Sequence, residues 1–412
     1  MPDWLLERLQ EAGGAVHFRT YMEWALHDPQ WGAYGNGRLR IGPGGDFVTS
    51  PSLGIDFAEL LAPQVLAWLH QSAPEQAGPL GLVETGPGEG VLALDLCRAL
   101  HRSAPELGER LEIVLVEPNR GMEARQRQRL RDAPLPVRWS TLEALAAAPV
   151  TGILLAHEVL DALAIDRVIW DGRDWRHQLV ALDGDPGGRP TLRLQAGAPL
   201  DPQEDGALFQ QLELRGLLRS ELPAAARPVG WTTELHRGNA SWLASAAAAL
   251  AQGTLLVVDY ALEARRYNAL QRSNGTLMAY RGQVASADPL QDPGQWDLTA
   301  HLCIETLIHD ATGNGWRPIG QRRQGEALLA LGLAERLHRL QHLPPQELST
   351  ALAAREALLR LVDPAALGDF RWLAFRRDAG SASASRPTAG SNQPERDGIA
   401  AADLFLHDPP LS

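Results

Sequence analysis

Four short apolar runs, separated by amphipathic stretches, constrain the fold of this chain more than any other feature of its sequence. The runs span residues 80–84, 113–117, 137–139 and 152–156. Between them lie three stretches with the apolar spacing of helices, at residues 90–101, 121–132 and 141–148. Strands joined by crossover helices lie parallel in one sheet, with helices on both faces. The sequence therefore predicts an α/β fold with a doubly wound, Rossmann-like core.

The regions around these runs divide the chain into five predicted segments. They are a helical N-terminal lead-in at 1–75, a first part of the core at 76–182, an insertion at 183–245, a second part of the core with C-terminal helices at 246–378, and a tail at 379–412. The insertion is rich in Gly, Pro and Ala and lacks a βα alternation, so we expect it to form a lid over a substrate. The tail offers too little apolar surface to order itself, so we expect disorder there. Leu404–Leu406 is the part of it that is able to dock on a partner.

Acidic residues outnumber basic ones, 50 against 38, and the formal net charge is −12. A chain of this charge repels a phosphate backbone, so we expect no nucleic-acid partner. All 38 basic residues are Arg, because the sequence contains no Lys. This absence excludes enzymes that use a Schiff-base lysine, a Walker lysine or the β3 lysine of protein kinases.

The two cysteines, Cys97 and Cys303, lie far apart in the sequence. They are too few for a disulfide framework or a thiolate metal site, so we expect no metal and a reducing, cytoplasmic location. No window approaches the roughly 18 uninterrupted apolar residues of a membrane span. The charged N-terminal residues give no export signal, and we expect no membrane insertion.

A glycine-rich motif lies where the first predicted strand ends and the first helix begins. Its sequence is Glu84-Thr85-Gly86-Pro87-Gly88-Glu89-Gly90. Glycines at this place allow a tight turn whose backbone approaches a ligand closely at a helix N-terminus. The spacing is GxGxG and does not match the dinucleotide fingerprint GxGxxG, and Pro87 removes a donor that a pyrophosphate would use. Glu89 repels phosphate and attracts a cation, which favours a positively charged cofactor such as the sulfonium S-adenosylmethionine.

Two further acidic motifs follow later strands of the predicted sheet. Glu117 ends the second strand, 117 − 90 = 27 residues after the last loop glycine, where an acidic side chain accepts hydrogen bonds from ribose hydroxyls. Glu158 and Asp161 follow the fourth strand, about one helical turn apart, and both can point into the same site. Two carboxylates beside a methyl donor suit a cationic nucleophile such as an arginine guanidinium.

Together, these and other motifs resemble the MidA-like class I S-adenosylmethionine-dependent methyltransferases. The resemblance extends from about Phe18 to Phe375. Its motifs are Tyr21-Met22, Asp28-Pro29, Gly32-Ala33-Tyr34, the run from Gly45 to Pro51, the glycine-rich motif, Val116-Glu117-Pro118, the run from Ala156 to Leu163, Val258-Asp259-Tyr260, the run from Thr276 to Gly282, the run from Asp297 to His301, and Gly368-Asp369-Phe370-Arg371. His157, His177 and Gln283 depart from the residues usual in the family.

The resemblance implies a methyltransferase core with S-adenosylmethionine as its cofactor. Residues that it implies for cofactor binding are Glu84, Gly86, Pro87, Gly88, Gly90 and Glu117, with Asp46, Thr49, Ser50 and Pro51 closing over the cofactor from the lead-in. Residues that it implies for the acceptor side are Glu158 and Asp161, with Asp297 and His301 nearby. The mitochondrial member of the family is a protein-arginine methyltransferase of respiratory complex I assembly. The expected substrate is therefore an arginine of a protein such as a complex I type dehydrogenase subunit. A homodimer is a possible oligomeric state.

Alternatives remain open at the level of the sequence. The glycine-rich motif has a plain βα turn as its alternative, and Glu117 can be a surface residue. Asp161 can cap the following helix while Glu158 pairs with a surface Arg. For the whole chain, the alternatives are a non-catalytic assembly factor on a methyltransferase scaffold and a methyltransferase for a small molecule.

Overall fold

The computed structural model describes residues 1–72, 78–184, 190–218, 227–380 and 400–408. The chain begins with α1 (Asp3–Glu11), β1 (Ala15–His17), α2 (Phe18–His27) and α3 (Asp56–Ser72). A βα alternation follows, with β2 (Leu80–Thr85), α4 (Val91–Ser103), β3 (Leu111–Val116), α5 (Arg120–Arg129), β4 (Val137–Ser140), α6 (Leu142–Ala147) and β5 (Val150–His157).

The next elements are mostly short strands. They are β6 (Asp166–Trp170), β7 (Trp175–Asp183), β8 (Thr191–Pro199), α7 (Gly206–Leu214) and β9 (Thr232–Leu235). The second half contains α8 (Arg237–Ala249), β10 (Leu250–Asp259), β11 (Ala261–Leu262), α9 (Ala264–Tyr267), β12 (Met278–Arg281), β13 (Val284–Ser286), β14 (Asp297–Thr299) and β15 (Leu302–Cys303). The last elements are α10 (Ile304–Gly313), β16 (Arg317–Arg323), α11 (Gln324–Ala330), α12 (Leu333–Gln341), α13 (Leu348–Leu361) and β17 (Arg371–Arg377).

The core is a seven-stranded sheet in the order β16-β17-β10-β5-β2-β3-β4. Its strands run parallel except β17, which is antiparallel to both of its neighbours. One face packs on α3, α4 and α13 around Trp68 and Trp372, and the other packs on α6, α8 and α10 around Trp316. This architecture confirms the predicted doubly wound α/β core, because apolar strands buried on both faces need helices on both sides.

A second sheet is antiparallel and has the order β1-β7-β6-β9, with β8 also paired to β7. The inserted part thus begins at β6, near Asp166, and not at residue 183 as the sequence predicts. The lead-in also contains a strand, because β1 pairs with residues 179–181. Short strands paired over long sequence distances carry little local signal, so a helical lead-in was the wrong expectation for β1. Residues 185–189 and 219–226 of the predicted insertion lie outside the described residues.

The C-terminal segment 400–408 docks on the core, so the prediction of disorder is wrong for these residues. Phe405 is fully buried, with its ring 5.9 Å from the ring of Trp68 and 6.0 Å from that of Trp372. Asp403 accepts a hydrogen bond of 2.8 Å from the Trp68 indole. The apolar residues at 404–406 therefore bury their surface within their own chain. The rest of the predicted tail, residues 381–399 and 409–412, lies outside the described residues. Among the described helices, none is both long and apolar enough to cross a membrane.

Candidate active site

A cavity of about 950 Å³ opens at the carboxyl ends of β2, β3, β4 and β5. Its walls also include α2, the lead-in loop at 34–52 and Trp242 of α8. Within the described part of the chain, Trp242 is the one lining residue that belongs to the predicted insertion. Ligands of open α/β sheets bind at this edge. The predicted site residues that line the cavity are Thr49, Pro51, Glu84, Gly86, Pro87, Gly88, Glu117 and Glu158.

The glycine-rich loop needs its glycines for both conformation and space. Gly86 and Gly88 have φ values of 59° and 53°, in the left-handed region. A Cβ atom at Gly86 would lie 2.9 Å from Val159 Cγ2, and one at Gly88 would lie 2.8 Å from Ile41 Cδ1. Gly90 caps the N-terminus of α4 and does not line the cavity. The loop therefore brings its backbone against both the lead-in and the segment after β5.

Glu117 is held rigidly at the end of β3. Its Oε1 accepts a hydrogen bond of 2.8 Å from the Asn119 backbone N–H, and its Oε2 accepts one of 2.9 Å from Gln126. Burial raises the pKa of Glu117, and these hydrogen bonds oppose the shift. A carboxylate fixed in this way is suited to accept hydrogen bonds from a ribose, as the sequence predicts.

Asn119 is a site residue that the sequence analysis missed. Its side-chain amide donates to the carbonyls of Tyr34 and Gly35, at 2.7 and 2.6 Å, while its Oδ1 caps α5 by accepting from Met122. These bonds fix the lead-in loop over the cavity. The sequence offers one signal for this role, an Asn two residues after Glu117 at the start of a predicted helix.

Two glutamates of the glycine-rich motif differ in their surroundings. Glu89 is paired with Arg125, whose Nε and Nη2 both lie 3.0 Å from its carboxylate oxygens. Its predicted attraction for a cation is therefore partly satisfied within the protein. Glu84 is buried, its Oε2 has no hydrogen-bond partner among the described residues, and burial raises its pKa to about 8. Glu84 is thus the unpaired acid of this loop.

The lead-in segment 46–51 is only partly at the cavity. Thr49 and Pro51 line it, as predicted. Ser50 is fully buried, exchanges hydrogen bonds with Gln324, and offers its backbone N–H to Glu158. Asp46 does not line the cavity, contrary to the implied cofactor contact, because its main chain and side chain accept hydrogen bonds from Gln283 and Gly282. Asp46 therefore ties the lead-in loop to the turn after β12.

Glu158 and Asp161 lie in the turn that follows β5. Glu158 has a φ of 53°, unusual for a residue other than glycine, and it lines the cavity. Its conformation is held by a backbone hydrogen bond of 2.9 Å to the Val258 carbonyl. Asp161 does not line the cavity and is buried behind it. Strain of this kind is tolerated where the surrounding structure fixes the residue for a function.

Asp259 and Asp297 join these two carboxylates in one buried group, which we call the acid cluster: Glu158, Asp161, Asp259 and Asp297. Glu158 Oε1, Asp161 Oδ1 and Asp297 Oδ1 have no hydrogen-bond partner among the described residues. Burial, followed by the charges of Asp259 and Asp297, raises the pKa of Glu158 well above its usual range. Burial raises the pKa values of Asp259 and Asp297 to about 7. Burial without a cation therefore favours the protonated form of these acids, and a positively charged group that entered beside Glu158 would favour its ionised form.

Asp259 positions the turn that carries the acceptor residues. Its Oδ2 accepts hydrogen bonds from the backbone N–H groups of Leu160 and Asp161, at 3.1 and 3.3 Å, and its Oδ1 accepts one from Tyr260 at 2.8 Å. The sequence analysis assigned Asp259 no role. It stands at the end of β10, the strand next to β5, so its place in the site depends on the order of strands in the sheet.

Two histidines near this region have different positions. His301 does not line the cavity, contrary to the expected role, and its ring packs 5.3 Å from that of Tyr260. Burial lowers the pKa of His301 to about 4, so it is neutral and structural. His157 does line the cavity, with Nδ1 3.4 Å from Glu158 Oε1, and burial lowers its pKa to about 3. A neutral His157 gives the acid cluster no positive charge, which is consistent with the raised pKa values of its acids.

The sequence of this chain is similar to those of known proteins from one family. The sequence model of a family of S-adenosyl-L-methionine-dependent methyltransferases matches residues 60–322. The chain is 28% identical to a Drosophila melanogaster protein named "Protein arginine methyltransferase NDUFAF7 homolog, mitochondrial", over 88% of this chain and 82% of that one. It is 26% identical to the Danio rerio protein arginine methyltransferase NDUFAF7, over 79% and 75% of the two chains.

A solved structure is similar to the whole architecture. It is a COG1565 superfamily member from Burkholderia thailandensis bound to S-adenosyl-homocysteine, with a TM-score of 0.76, 29% sequence identity and coverage of 91% of each chain. A native crystal structure of a COG1565 superfamily protein from the same organism has a TM-score of 0.75 at 28% identity. S-adenosyl-homocysteine is what remains of the cofactor after its methyl group has left.

The residues of the cavity fit S-adenosyl-L-methionine. Six glutamates and a single arginine, Arg120, line its described part, which suits a ligand with a positive sulfonium and ammonium. Glu84 offers an unpaired buried oxygen, and Gly86 and Gly88 present the turn at the cavity wall in a conformation that other residues rarely adopt. A polar partner and a close backbone approach are therefore both present for the cofactor.

Proposed function

The chain belongs to this family of S-adenosyl-L-methionine-dependent methyltransferases, and we propose that it methylates a guanidinium nitrogen of an arginine in a protein substrate. The observation that carries the proposal is the acid cluster, whose three unpaired oxygens lie buried beside the cofactor cavity. Carboxylates are the bidentate partners that a planar guanidinium requires. The names of the Drosophila and zebrafish relatives support the same substrate class.

The residues of the chain divide the work between binding and orientation. When bound, the cofactor supplies a methyl group on a positively charged sulfur, ready for displacement. Glu117 and the glycine-rich loop would fix its position, while Glu158, with Asp161 buried behind it, would hold the guanidinium so that one nitrogen faces the methyl carbon. Orientation of this kind removes much of the entropic barrier of a two-substrate reaction. As the new N–C bond forms and the C–S bond breaks, the nitrogen loses a proton, and Glu158 at the cavity wall is placed to accept it.

The partner and the location belong to the same proposal. By the family resemblance, the protein substrate is a complex I type dehydrogenase subunit. The thiols of Cys97 and Cys303 are free and buried, which supports a reducing compartment such as the cytoplasm. A homodimer is also proposed, since α13 exposes Leu348 and Leu352, and sedimentation velocity over a range of concentrations tests it.

The experiment that tests the proposal is mass spectrometry of methylated arginine in cells with and without this protein. At least one protein is expected to lose an arginine methyl mark when the chain is absent. The wild-type chain should restore the mark, and the Glu158→Gln variant should not. Loss of methylation on a small molecule, with every protein mark retained, would replace the arginine assignment with a small-molecule acceptor.

A further inference from the structure

We propose that Gln324, at the start of α11, is a positioning residue for Glu158, and that it acts by fixing the backbone N–H of Ser50 against the Glu158 carboxylate. The inference rests on the proposed function, which makes Glu158 the acid that faces the acceptor at the cavity wall. Gln324 does not line the cavity, so its effect reaches the acceptor side through Ser50.

The carboxylate of Glu158 has hydrogen-bonding capacity that the protein leaves unused. It accepts a hydrogen bond from the Ser50 backbone N–H, while its Oε1 has no hydrogen-bond partner among the described residues. The side chain is 10% exposed, so little water is at hand to replace a lost partner. The place of the Ser50 N–H therefore affects both the direction of the carboxylate and its pKa.

Ser50 is in turn held by Gln324. Both side chains are fully buried. The Gln324 amide nitrogen donates to Ser50 Oγ at 2.9 Å, and the Ser50 hydroxyl lies 3.2 Å from Gln324 Oε1. Ser50 begins a short turn of four residues, Ser50–Leu53, which is too short to fix its own place in the lead-in loop. A partner 324 − 50 = 274 residues away supplies that anchor.

Gln324 has a single orientation, because its other contacts are also fixed. Its amide nitrogen donates to the Leu361 carbonyl at 3.0 Å, and its Oε1 accepts from the Trp372 indole at 3.3 Å. Its backbone N–H donates to the Phe370 carbonyl at 2.8 Å. Both donors and both acceptor positions of the side-chain amide are thus used. A buried amide with every bond made is rigid, and it holds Ser50 in one place.

A second contact of Trp372 leads to another neighbour of Glu158. The ring of Phe57 lies 6.1 Å from that of Trp372 and 5.4 Å from that of His157. His157 Nδ1 lies 3.4 Å from Glu158 Oε1. Trp372 therefore supports the surroundings of Glu158 from two directions, through its hydrogen bond to Gln324 and through the packing of Phe57.

Other titratable groups act on the protonation of Glu158 together with the Ser50 N–H. They are His157, Asp161, Asp259, Asp297, Tyr34 and Tyr260. In the described part of the chain, neither Ser50 nor Gln324 makes a hydrogen bond with any of these six groups. A substitution at Gln324 or Ser50 therefore acts on Glu158 through the N–H, and loss of that hydrogen bond to the ionised form raises the pKa of Glu158.

The test measures the protonation of Glu158 without any acceptor. The full chain, saturated with S-adenosyl-homocysteine, carries ¹³C at its glutamate side-chain carboxyls, and the resonance lost in Glu158→Gln identifies Glu158. Its titration midpoint should rise by about one pH unit in Gln324→Leu and in Ser50→Ala, the shift expected when one hydrogen bond to a charged group is lost. The combined variant should shift no further than Gln324→Leu, because both substitutions break one link.

Gln64→Leu is the matched control. Gln64 is also fully buried, and its amide bonds the Ala402 carbonyl at 2.7 Å and the Phe405 N–H at 2.8 Å. This variant should lose melting temperature as Gln324→Leu does and keep the wild-type midpoint. An equal shift in the control, additive shifts in the combined variant, or an unchanged midpoint in Ser50→Ala would each overturn the inference. If Gln324→Leu does not fold, Ser50→Ala decides, since it removes a single buried oxygen atom.

Failure of this inference is distinguishable from failure of the proposed function. On the protein that loses its arginine mark in cells, Ser50→Ala should reduce kcat by about tenfold below the Glu158 midpoint and leave cofactor affinity unchanged, with recovery at higher pH. If arginine is methylated while the midpoint does not move, the proposed function stands and Gln324 is structural only. If the midpoint moves while no arginine is methylated, Gln324 positions Glu158 for another acceptor, and the proposed function fails.

Discussion

The two sides of the cavity differ in how their polar groups are satisfied. On the cofactor side, Glu117, Glu89 and Asn119 all have protein partners at 2.6 to 3.0 Å. On the acceptor side, Glu158 Oε1 and Asp161 Oδ1 have none among the described residues, and on the cofactor side only Glu84 Oε2 shares that state among the glutamates that line the described cavity. Paired groups hold one geometry before any ligand arrives, whereas unpaired buried acids are stabilised by a proton or by an entering cation. The cofactor side is therefore largely organised in advance, and we expect the acceptor side to be completed by its substrate.

The largest effect is expected from a substitution that changes the acceptor side alone. Glu158→Gln keeps the shape of the side chain but cannot carry the charge that a guanidinium seeks, so the rate of methyl transfer should fall by about 100- to 1,000-fold, as when one charge-stabilising group is removed from an active site. Isothermal titration with S-adenosyl-L-methionine should give an affinity within about twofold of wild type. The exposed Glu356→Gln serves as the matched control.

A parental transfer rate in Glu158→Gln, or a loss of cofactor binding, would contradict the division between the two sides. Asp161→Asn provides a second reading, because Asp161 is buried behind Glu158 and does not line the cavity. We expect it to reduce transfer in the same direction and to leave cofactor affinity unchanged.

The next largest effect is expected from a substitution on the cofactor side. Glu117→Ala removes a carboxylate that Gln126 and the Asn119 N–H hold in place, and it should weaken cofactor binding by about 1 to 3 kcal/mol, the cost of leaving charge-assisted hydrogen bonds unmade. Titration calorimetry measures the change. At saturating cofactor, the transfer rate should recover most of its wild-type value. A rate that stays low at saturation would mean that Glu117 also serves the acceptor.

The same contrast explains which parts of the site could be predicted from the sequence. The glycine-rich loop and Glu117 are set by local patterns, since a strand end, a tight turn and a helix start lie within a few residues. Glu158 and Asp161 follow a strand whose position the βα alternation gives. Asp259 lies 259 − 158 = 101 residues after Glu158, and Asp297 lies 297 − 158 = 139 residues after it. The order of strands in the sheet and the pairing of β12 with β14 bring both residues near Glu158.

The parts of the fold that could not be predicted from the sequence also depend on contacts between residues far apart in the chain. β1 and β7 pair although 160 residues or more separate their partners, for example Ala15 and Ala181. Phe405 docks on Trp68 across a separation about twice as long, 405 − 68 = 337 residues. Composition predicts disorder for this segment, but Phe405 packs between two tryptophans and Asp403 accepts hydrogen bonds from Trp68 and Arg376. Contacts of this kind depend on the shape of the folded core, which local pattern does not give.

A smaller effect is expected from a change in pH. It should alter the rate of methyl transfer more than the affinity for the cofactor. Asp297 has a pKa of about 7, raised by burial, so below that pH the acid cluster gains protons and loses charge for a guanidinium. We expect transfer at saturating cofactor to fall as the pH decreases from 8 to 6, by up to about tenfold per unit below 7. Cofactor affinity, measured by calorimetry over the same range, should change less. A transfer rate independent of pH from 6 to 8 would show that the cluster is ionised throughout.

The smallest effect is on stability, and its sign follows from which state binds more protons. Glu84, Asp259 and Asp297 have folded-state pKa values of about 8, 7 and 7, above the values of an unfolded chain. The folded chain therefore takes up protons as the pH falls from 9 to 7, while unfolded carboxyls stay ionised, and the free energy of unfolding should rise by roughly 1 to 2 kcal/mol. The stability that these acids contribute is lost as the pH rises through their folded pKa values.

Below about pH 6.5 the buried histidines act in the opposite direction. Burial lowers the pKa values of His157, His236 and His301 to about 3, 3 and 4, so the unfolded chain binds protons there that the folded chain does not. These three histidines offset the three acids, and the rise in stability should level off below pH 6.5. Thermal unfolding followed by circular dichroism should show a melting temperature that increases from pH 9 to about 6.5 and then changes little. Asp297→Asn removes one titrating acid, so it should flatten the rise between pH 9 and 7 and leave the histidines in excess below pH 6.5, where the melting temperature should then fall. A melting temperature that instead increases steadily with pH would mean that the cluster is ionised and already paired in the free protein, and the contrast between the two sides of the cavity would disappear.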